Sequence, residues 1–343
     1  MSTRAPLTAA EVLADPTWLA HRYEPQGDRL GFLYVPRARR RAVSFLIDAH
    51  LGDCGPAIAL PRADVAAPLA GASLHFLFHS AFCGSTLLAN ALERPGFAHT
   101  LKEPQILNDV LGFRAQGEDE GRVTVVLRTA LGLLARPFVD GEAIVIKPSN
   151  VTAALVPGLF ALSPGSRAIF LFAPLPEFVA SVARKGLEGR LWVRELAWKL
   201  RRDGLLDFGF TPEEEFRHTD LQVAALAWLA QHRLFAGLAA RLGPERLRAL
   251  PSPVLLARPG DALEALGAHF GLPLGPQERA AIVAREFGRH AKTGQPFDAR
   301  RRAEAYAAAL AAHGEEVKVV LRWAEAVAVH AGLPAVAAAP LLS

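Results

Sequence analysis

The sequence has two cysteines, Cys54 and Cys83, one methionine and three tyrosines in 343 residues. Two cysteines make no disulfide framework, and a reducing, cytoplasmic setting is the expectation. No apolar run reads as long enough to span a bilayer, so no transmembrane segment is expected. The start, MSTRAPLTAAEVLADPTWL, has no apolar stretch after Arg4, and a secretory leader is not expected. The histidines show no metal-ligand spacing, which leaves no metal in the reading. No repeat of fixed period is visible. Only 21% of residues are charged, against 51% hydrophobic, which excludes a disordered chain. The net charge is +4 and the pI about 9.3. That mild excess suits an anionic ligand and is too small to imply nucleic acid. The Arg-rich run 37–41, RARRR, reads as a solvated surface patch.

What is present is a strand, a tight turn and a helix at 74–93, LHFLFHSAFCGSTLLANALE. The run 74–78 reads as a buried strand, the small residues from Ser80 to Thr86 as a turn, and 85–94 as a helix. This arrangement aims backbone N–H groups and a helix dipole at an anion. It is equally the ordinary connection of an α/β domain. The turn is not a Walker A loop, because it has no Lys and His79 stands where the first Gly would fall. Cys83 precedes a helix, where a thiol is acidified. The phosphate loop of Cys-dependent phosphatases needs an Arg six residues later, however, and Ala89 is there. Packing of the turn is the plainer role.

Around it, helices are expected at 7–20 (N-cap Thr8) and 40–51, a strand at 30–35, and a Gly/Pro/Ala-rich connector at 52–72. Beyond the turn, strands at 99–101, 143–147, 167–172 and 254–256 alternate with helices at 104–113, 121–136, 151–161, 176–185 and 260–270. A helical stretch fills 186–243, with Trp192, Trp198, Trp228 and Phe235 as core aromatics; after 276 come a helix, a loop at 288–298 and a last helical stretch to about 331. The alternation argues for an α/β fold with a mostly parallel central sheet. Ligands of such sheets collect at the carboxyl ends of strands. The polar residues Ser80 to Thr86, Lys102, Glu103, Lys147 and Ser149 fall there.

The ordered segments HSAFCGSTLL, KEP, VIKPSN, RAIFLFAPLPEFVASVARKG and VLLARPGDALEALGAHFGLPL resemble the sulfotransferase superfamily over roughly residues 72–325. The resemblance implies a three-layer P-loop NTPase-like fold, with an N-terminal extension at 1–71, the main domain at 72–331 with a helical C-terminal half, and a tail at 332–343. It also implies 3′-phosphoadenosine 5′-phosphosulfate (PAPS) as nucleotide donor, an acceptor hydroxyl or amine that no signature identifies, and an oligomeric state that is left open. The turn residues Phe82, Cys83, Gly84, Ser85 and Thr86 would cradle the phosphosulfate, with Lys102, Ser181 and Lys292 as further donor-binding positions. The family usually has a cation where this chain has Phe82, and an Arg at the 3′-phosphate site where it has Phe172 or Ala173. Arg184, Lys185, Arg289 and His290 are other cations within reach in sequence. Glu103 is the general-base candidate, or else a helix N-terminal charge. His79 is a second base or a structural residue. Lys147, ending an apolar strand, either meets an anion or snorkels to the surface. A kinase-like transferase with another donor, and a non-catalytic nucleotide-binding member of the fold, remain as alternatives.

Overall fold

The computed structural model describes residues 8–65, 73–288 and 299–342. The elements begin with α1 (Ala9–Ala14), β1 (Trp18–Glu24), β2 (Arg29–Tyr34), α2 (Arg37–Ala42), α3 (Asp48–Leu51) and β3 (Ile58–Pro61). They continue with β4 (Leu74–His79), α4 (Ser85–Leu92), β5 (Ala98–Lys102), α5 (Gln105–Ala115), α6 (Glu120–Leu134), β6 (Ala143–Lys147), a 3₁₀ segment (Asn150–Leu155), α7 (Val156–Leu162) and β7 (Ala168–Phe172). The chain closes with α8 (Leu175–Arg184), α9 (Gly186–Arg202), α10 (Pro212–Arg217), α11 (Asp220–Leu242), β8 (Leu247–Pro251), α12 (Ser252–Ala257), α13 (Pro259–Phe270), α14 (Pro276–Ile282) and α15 (Ala299–His330).

The fold is α/β. Strands β4 to β8 form one sheet in the order β5-β6-β4-β7-β8, and β1-β2-β3 form a second. β4 pairs with β6, β5 with β6 and β7 with β8, all parallel, while the small sheet is antiparallel. The large strands are apolar runs buried on both faces, as parallel strands must be; β4, β5 and β6 are buried at every position. The strand order reverses at β4, the first strand of the sheet. The chain divides into two compact units, Met1–Phe76 with Ala89–Ser166, and Leu77–Leu88 with Arg167–Ser343.

In the first unit the N-terminal residues are built in by arginines. The structure corrects the reading of RARRR as a solvated patch. Arg37 donates to Glu93 Oε1 at 2.7 Å, to Glu142 Oε1 at 2.5 Å and to the Ala98 carbonyl at 3.0 Å. Arg39 donates to the Leu51 carbonyl, Arg40 to the Val35 carbonyl and Arg41 to the Glu93 carbonyl. Arg40 is buried, with its guanidinium 5.0 Å from the Phe138 ring centroid. A planar guanidinium with five fixed donors can meet several carbonyls and a carboxylate together, which an ammonium cannot. Glu93 is the centre of this network; it also accepts from the Thr100 N–H at 2.6 Å and contacts His99 Nδ1 at 3.1 Å. Burial alone would raise the Glu93 carboxyl, but His99, the Thr100 N–H and Arg37 outweigh it and hold it at about 2.

Two boundaries differ from expectation for proline reasons. The helix expected to run to residue 20 stops at Ala14, capped by Thr8 as anticipated. Pro16 cannot continue a helix, because it lacks the N–H and its ring clashes with the preceding turn, and β1 follows. The strand expected at 254–256 is helix α12; the strand lies earlier, at Leu247–Pro251, because Pro253 sits in the first helical turn where a missing N–H costs nothing. In the expected 52–72 connector, 58–61 form β3 and 66–72 lie outside the described residues.

In the second unit α11 packs against α8, α9 and α15. By length and composition α11 meets the requirement for crossing a membrane, contrary to the sequence reading, but 56% of that apolar window is buried inside the protein. Phe235 is in the core as expected, whereas Trp198 is 59% exposed and is no core residue. In the tail, the Ala249 N–H donates to the Ala339 carbonyl and the Leu341 N–H to the Ala249 carbonyl, so the chain end lies along β8.

Candidate functional site

Two polar centres occupy the carboxyl ends of large-sheet strands, one in each unit. The first is the turn after β4. Its strand end is apolar and buried, and so is His79. Ser80 has no exposed surface; its N–H donates to the Leu171 carbonyl at 3.2 Å and its hydroxyl accepts from the Ala173 N–H at 3.0 Å. The end of β7 is thereby tied to the start of the turn. The backbone then enters the left-handed region at Ala81 (φ 74°), Phe82 (φ 53°) and Gly84 (φ 80°). Glycine adopts this at no steric cost, while Ala81 and Phe82 each pay about 1–2 kcal/mol. The His79 ring helps hold them, accepting from the Ala81 N–H at 3.2 Å. Helix α4 starts at once, and the N–H groups of its first turn have no partner inside the helix. A turn with left-handed residues feeding a helix N-terminus forms an anion-binding concavity.

Ser85 and Thr86 open α4 and are nearly buried, as is the Cys83 thiol at 1% exposure. Phe82 is half-buried, its ring 5.7 Å from that of Phe178 and 5.1 Å from that of Trp192. The residue that stands where a cation was expected thus belongs to an aromatic cluster, worth about 0.5–1.5 kcal/mol per ring pair beyond the area buried. Ser181 is on α8, half-buried. Of the neighbouring cations, Arg184 is exposed and Lys185 pairs with Glu188 at 2.9 Å. Lys292, Arg289 and His290 lie outside the described residues.

The second centre joins β5 and β6, where Lys102 and Lys147 are register partners at the strand ends. Both are 1% exposed. Lys102 donates to the Arg41 carbonyl at 2.7 Å and to Asn90 Oδ1 at 2.9 Å. Lys147 forms an ion pair with Glu103 and lies 5.1 Å from the centroid of the Phe45 ring. A buried ammonium requires a partner, and the anion expected for Lys147 is supplied by the chain itself. The Glu103 side chain remains 15% exposed. Its backbone is left-handed, φ 52°, immediately before Pro104, and its N–H donates to the Lys147 carbonyl at 2.7 Å. A non-glycine residue in this region costs about 1–3 kcal/mol and persists only where the surroundings fix it. Glu103 is therefore a held carboxylate, paired with Lys147 and partly exposed.

Sequence reasoning singled out Glu103 and Lys147 separately, and the structure pairs them. It missed Phe45, which was read as one apolar residue of a helix at 40–51. Residues 43–47 are instead irregular, between α2 and α3. It also missed Asn90, Phe178 and the place of Trp192. Two cavities, of about 170 and 140 Å³, are lined by none of these residues.

No family model matches the sequence, and no curated protein matches it. Solved structures to which the chain is similar include the sulfotransferase STF9 from Mycobacterium avium, with TM-score 0.42 and 12% identity over 73% of this chain and 78% of that one. Another is the sulfotransferase STF1 from Mycobacterium tuberculosis H37Rv, with TM-score 0.40 and 16% identity over 72% and 78%. A third is the sulfotransferase domain of the Synechococcus PCC 7002 olefin synthase, with TM-score 0.38 and 13% identity over 67% and 82%. At such identities these similarities assign no residue role.

Proposed function

We propose that the chain is a sulfotransferase that takes its sulfuryl group from PAPS and passes it to a hydroxyl or amine of an acceptor, in the cytoplasm. The observation that carries the reading is the turn after β4: left-handed residues at 81, 82 and 84 lead into a helix N-terminus on the strand at which the sheet order reverses. Open α/β sheets bind anionic ligands at that position. The ordered motifs from HSAFCGSTLL to HFGLPL support the choice of donor.

PAPS supplies an activated sulfuryl group. The chain's own residues have three tasks in this reading. Backbone N–H groups of the turn, with Ser85 and Thr86, hold the phosphosulfate and stabilise charge on its oxygens. Glu103 takes the acceptor's proton at its carboxylate. Lys147 orients Glu103 through their ion pair. Phe82 departs from the family's cation, and its ring lies against those of Phe178 and Trp192. This one observation favours the second reading, in which the turn serves a different phosphorylated donor.

Calorimetry separates the two. Binding of adenosine 3′,5′-bisphosphate in the micromolar range, with ATP at least about tenfold weaker, is expected of the first reading. ATP bound more tightly than the bisphosphate overturns it in favour of a kinase-like transferase. Binding of neither overturns both.

A further inference from the structure

Glu103 owes its geometry to the N-terminal extension. Leu46 places both of its backbone groups on the segment that carries Glu103: its N–H donates to the Lys102 carbonyl at 2.7 Å, and its carbonyl accepts from the Gln105 N–H at 3.0 Å. Glu103 lies inside that bracket in its left-handed conformation. The adjacent residue, Phe45, sets its ring 5.1 Å from the Lys147 ammonium, with the His50 ring 5.0 Å from its own. The ammonium is thus faced by a carboxylate and by an aromatic π-surface, and it is 1% exposed. An aromatic face attracts a desolvated cation in a way that an aliphatic side chain of equal volume does not.

We propose that Phe45 is the positioning residue of the Glu103–Lys147 pair: its ring holds the Lys147 ammonium in the one place from which it orients the Glu103 carboxylate. Residues 43–47 are then part of the acceptor end of the centre, and the extension is required for the chemistry as well as for folding. The inference deepens the proposed reaction and rests on it for the role given to Glu103.

Two readouts in the full-length chain separate the inference from that reading. The first is acetylation of Lys147 by acetic anhydride, followed by mass spectrometry. Exposed Lys318 serves as the internal standard. Phe45→Leu fills much of the same space without a π-face, and Phe45→Tyr keeps the ring. Phe45→Leu is expected to raise the Lys147 labelling rate about tenfold relative to Lys318, and Phe45→Tyr to leave it at the wild-type value. Equal labelling in wild type and Phe45→Leu overturns the inference, whatever reaction the protein catalyses. Should Phe45→Leu fail to fold, Phe45→Met carries the same comparison. The second readout is transfer from PAPS: Phe45→Leu is expected to lower kcat about tenfold with the donor KM unchanged, and Phe45→Tyr to restore it. A raised donor KM with unchanged kcat contradicts the positioning role. Absence of transfer in the wild type sinks the proposed reaction and leaves the labelling result standing.

Discussion

Replacing Glu103 by Gln removes the charge that neutralises a lysine with 1% exposure while keeping the side chain's size and the backbone's place before Pro104. Losing one member of a buried ion pair costs about 3–5 kcal/mol, because the remaining charge is left desolvated. The Glu103 side chain is 15% exposed, so water can reach part of the gap, and the lower end, about 3 kcal/mol, is expected. Removing both charges is far milder, because no bare ammonium remains. Lys147→Met with Glu103→Gln is therefore expected to recover about 2 kcal/mol of that loss, a coupling typical of side chains in direct contact. The assay is urea denaturation of the full chain and the three variants, followed by circular dichroism. The chain has two compact units, so each transition is fitted separately. A Glu103→Gln cost below about 1 kcal/mol, or strictly additive single and double variants, refutes the claim that these residues form one desolvated pair.

Acid should weaken each unit through a different group. In the first unit Glu93, held at about 2 against an ordinary 4.5, contributes stability that is complete above pH 4.5 and is lost as pH falls from there toward 2. The loss amounts to about 3 kcal/mol at 1.36 kcal/mol per pH unit, and Glu93→Gln should abolish this part of the acid denaturation curve. In the second unit burial pushes the His232 imidazole down to about 3, with the Trp228 carbonyl opposing only in part. The unfolded chain takes up a proton below pH 6.5 that the native state refuses, so stability falls between pH 6.5 and 3, by up to about 5 kcal/mol. His232→Phe, placed against Trp228, should flatten that slope in pH-dependent urea melts, and an unchanged slope would show that His232 is not the titrating group.

Much of the large sheet was legible because parallel strands buried on both faces are continuous apolar runs. AIVIK at 143–147 and RAIFLF at 167–172 match β6 and β7 almost to the residue. The helix at 260–270 announced its own end in Gly271, which takes the left-handed cap. The arginine run was misread because composition records charge and not partners. Glu93 and Glu142, 56 and 105 residues away from Arg37, decide that these guanidiniums are built into the fold. The same distance in sequence hid the site's arrangement. Glu103 and Lys147 each drew attention from their strand-end positions, but the ion pair spans 44 residues, and Phe45 reaches Lys147 from an irregular segment with no periodicity to read. At the turn the sequence showed small residues and a helix start. The left-handed backbone at Ala81 and Phe82, which are not glycines, carried no signal in residue type.

In the proposed reaction an anionic group of the donor sits on the backbone of residues 81–86. Amide ¹⁵N–¹H spectra during titration with adenosine 3′,5′-bisphosphate test it most directly. The largest shifts are expected at the amides of Ala81 to Thr86, saturating together with the calorimetric isotherm. Saturable binding that leaves those amides unmoved would contradict it.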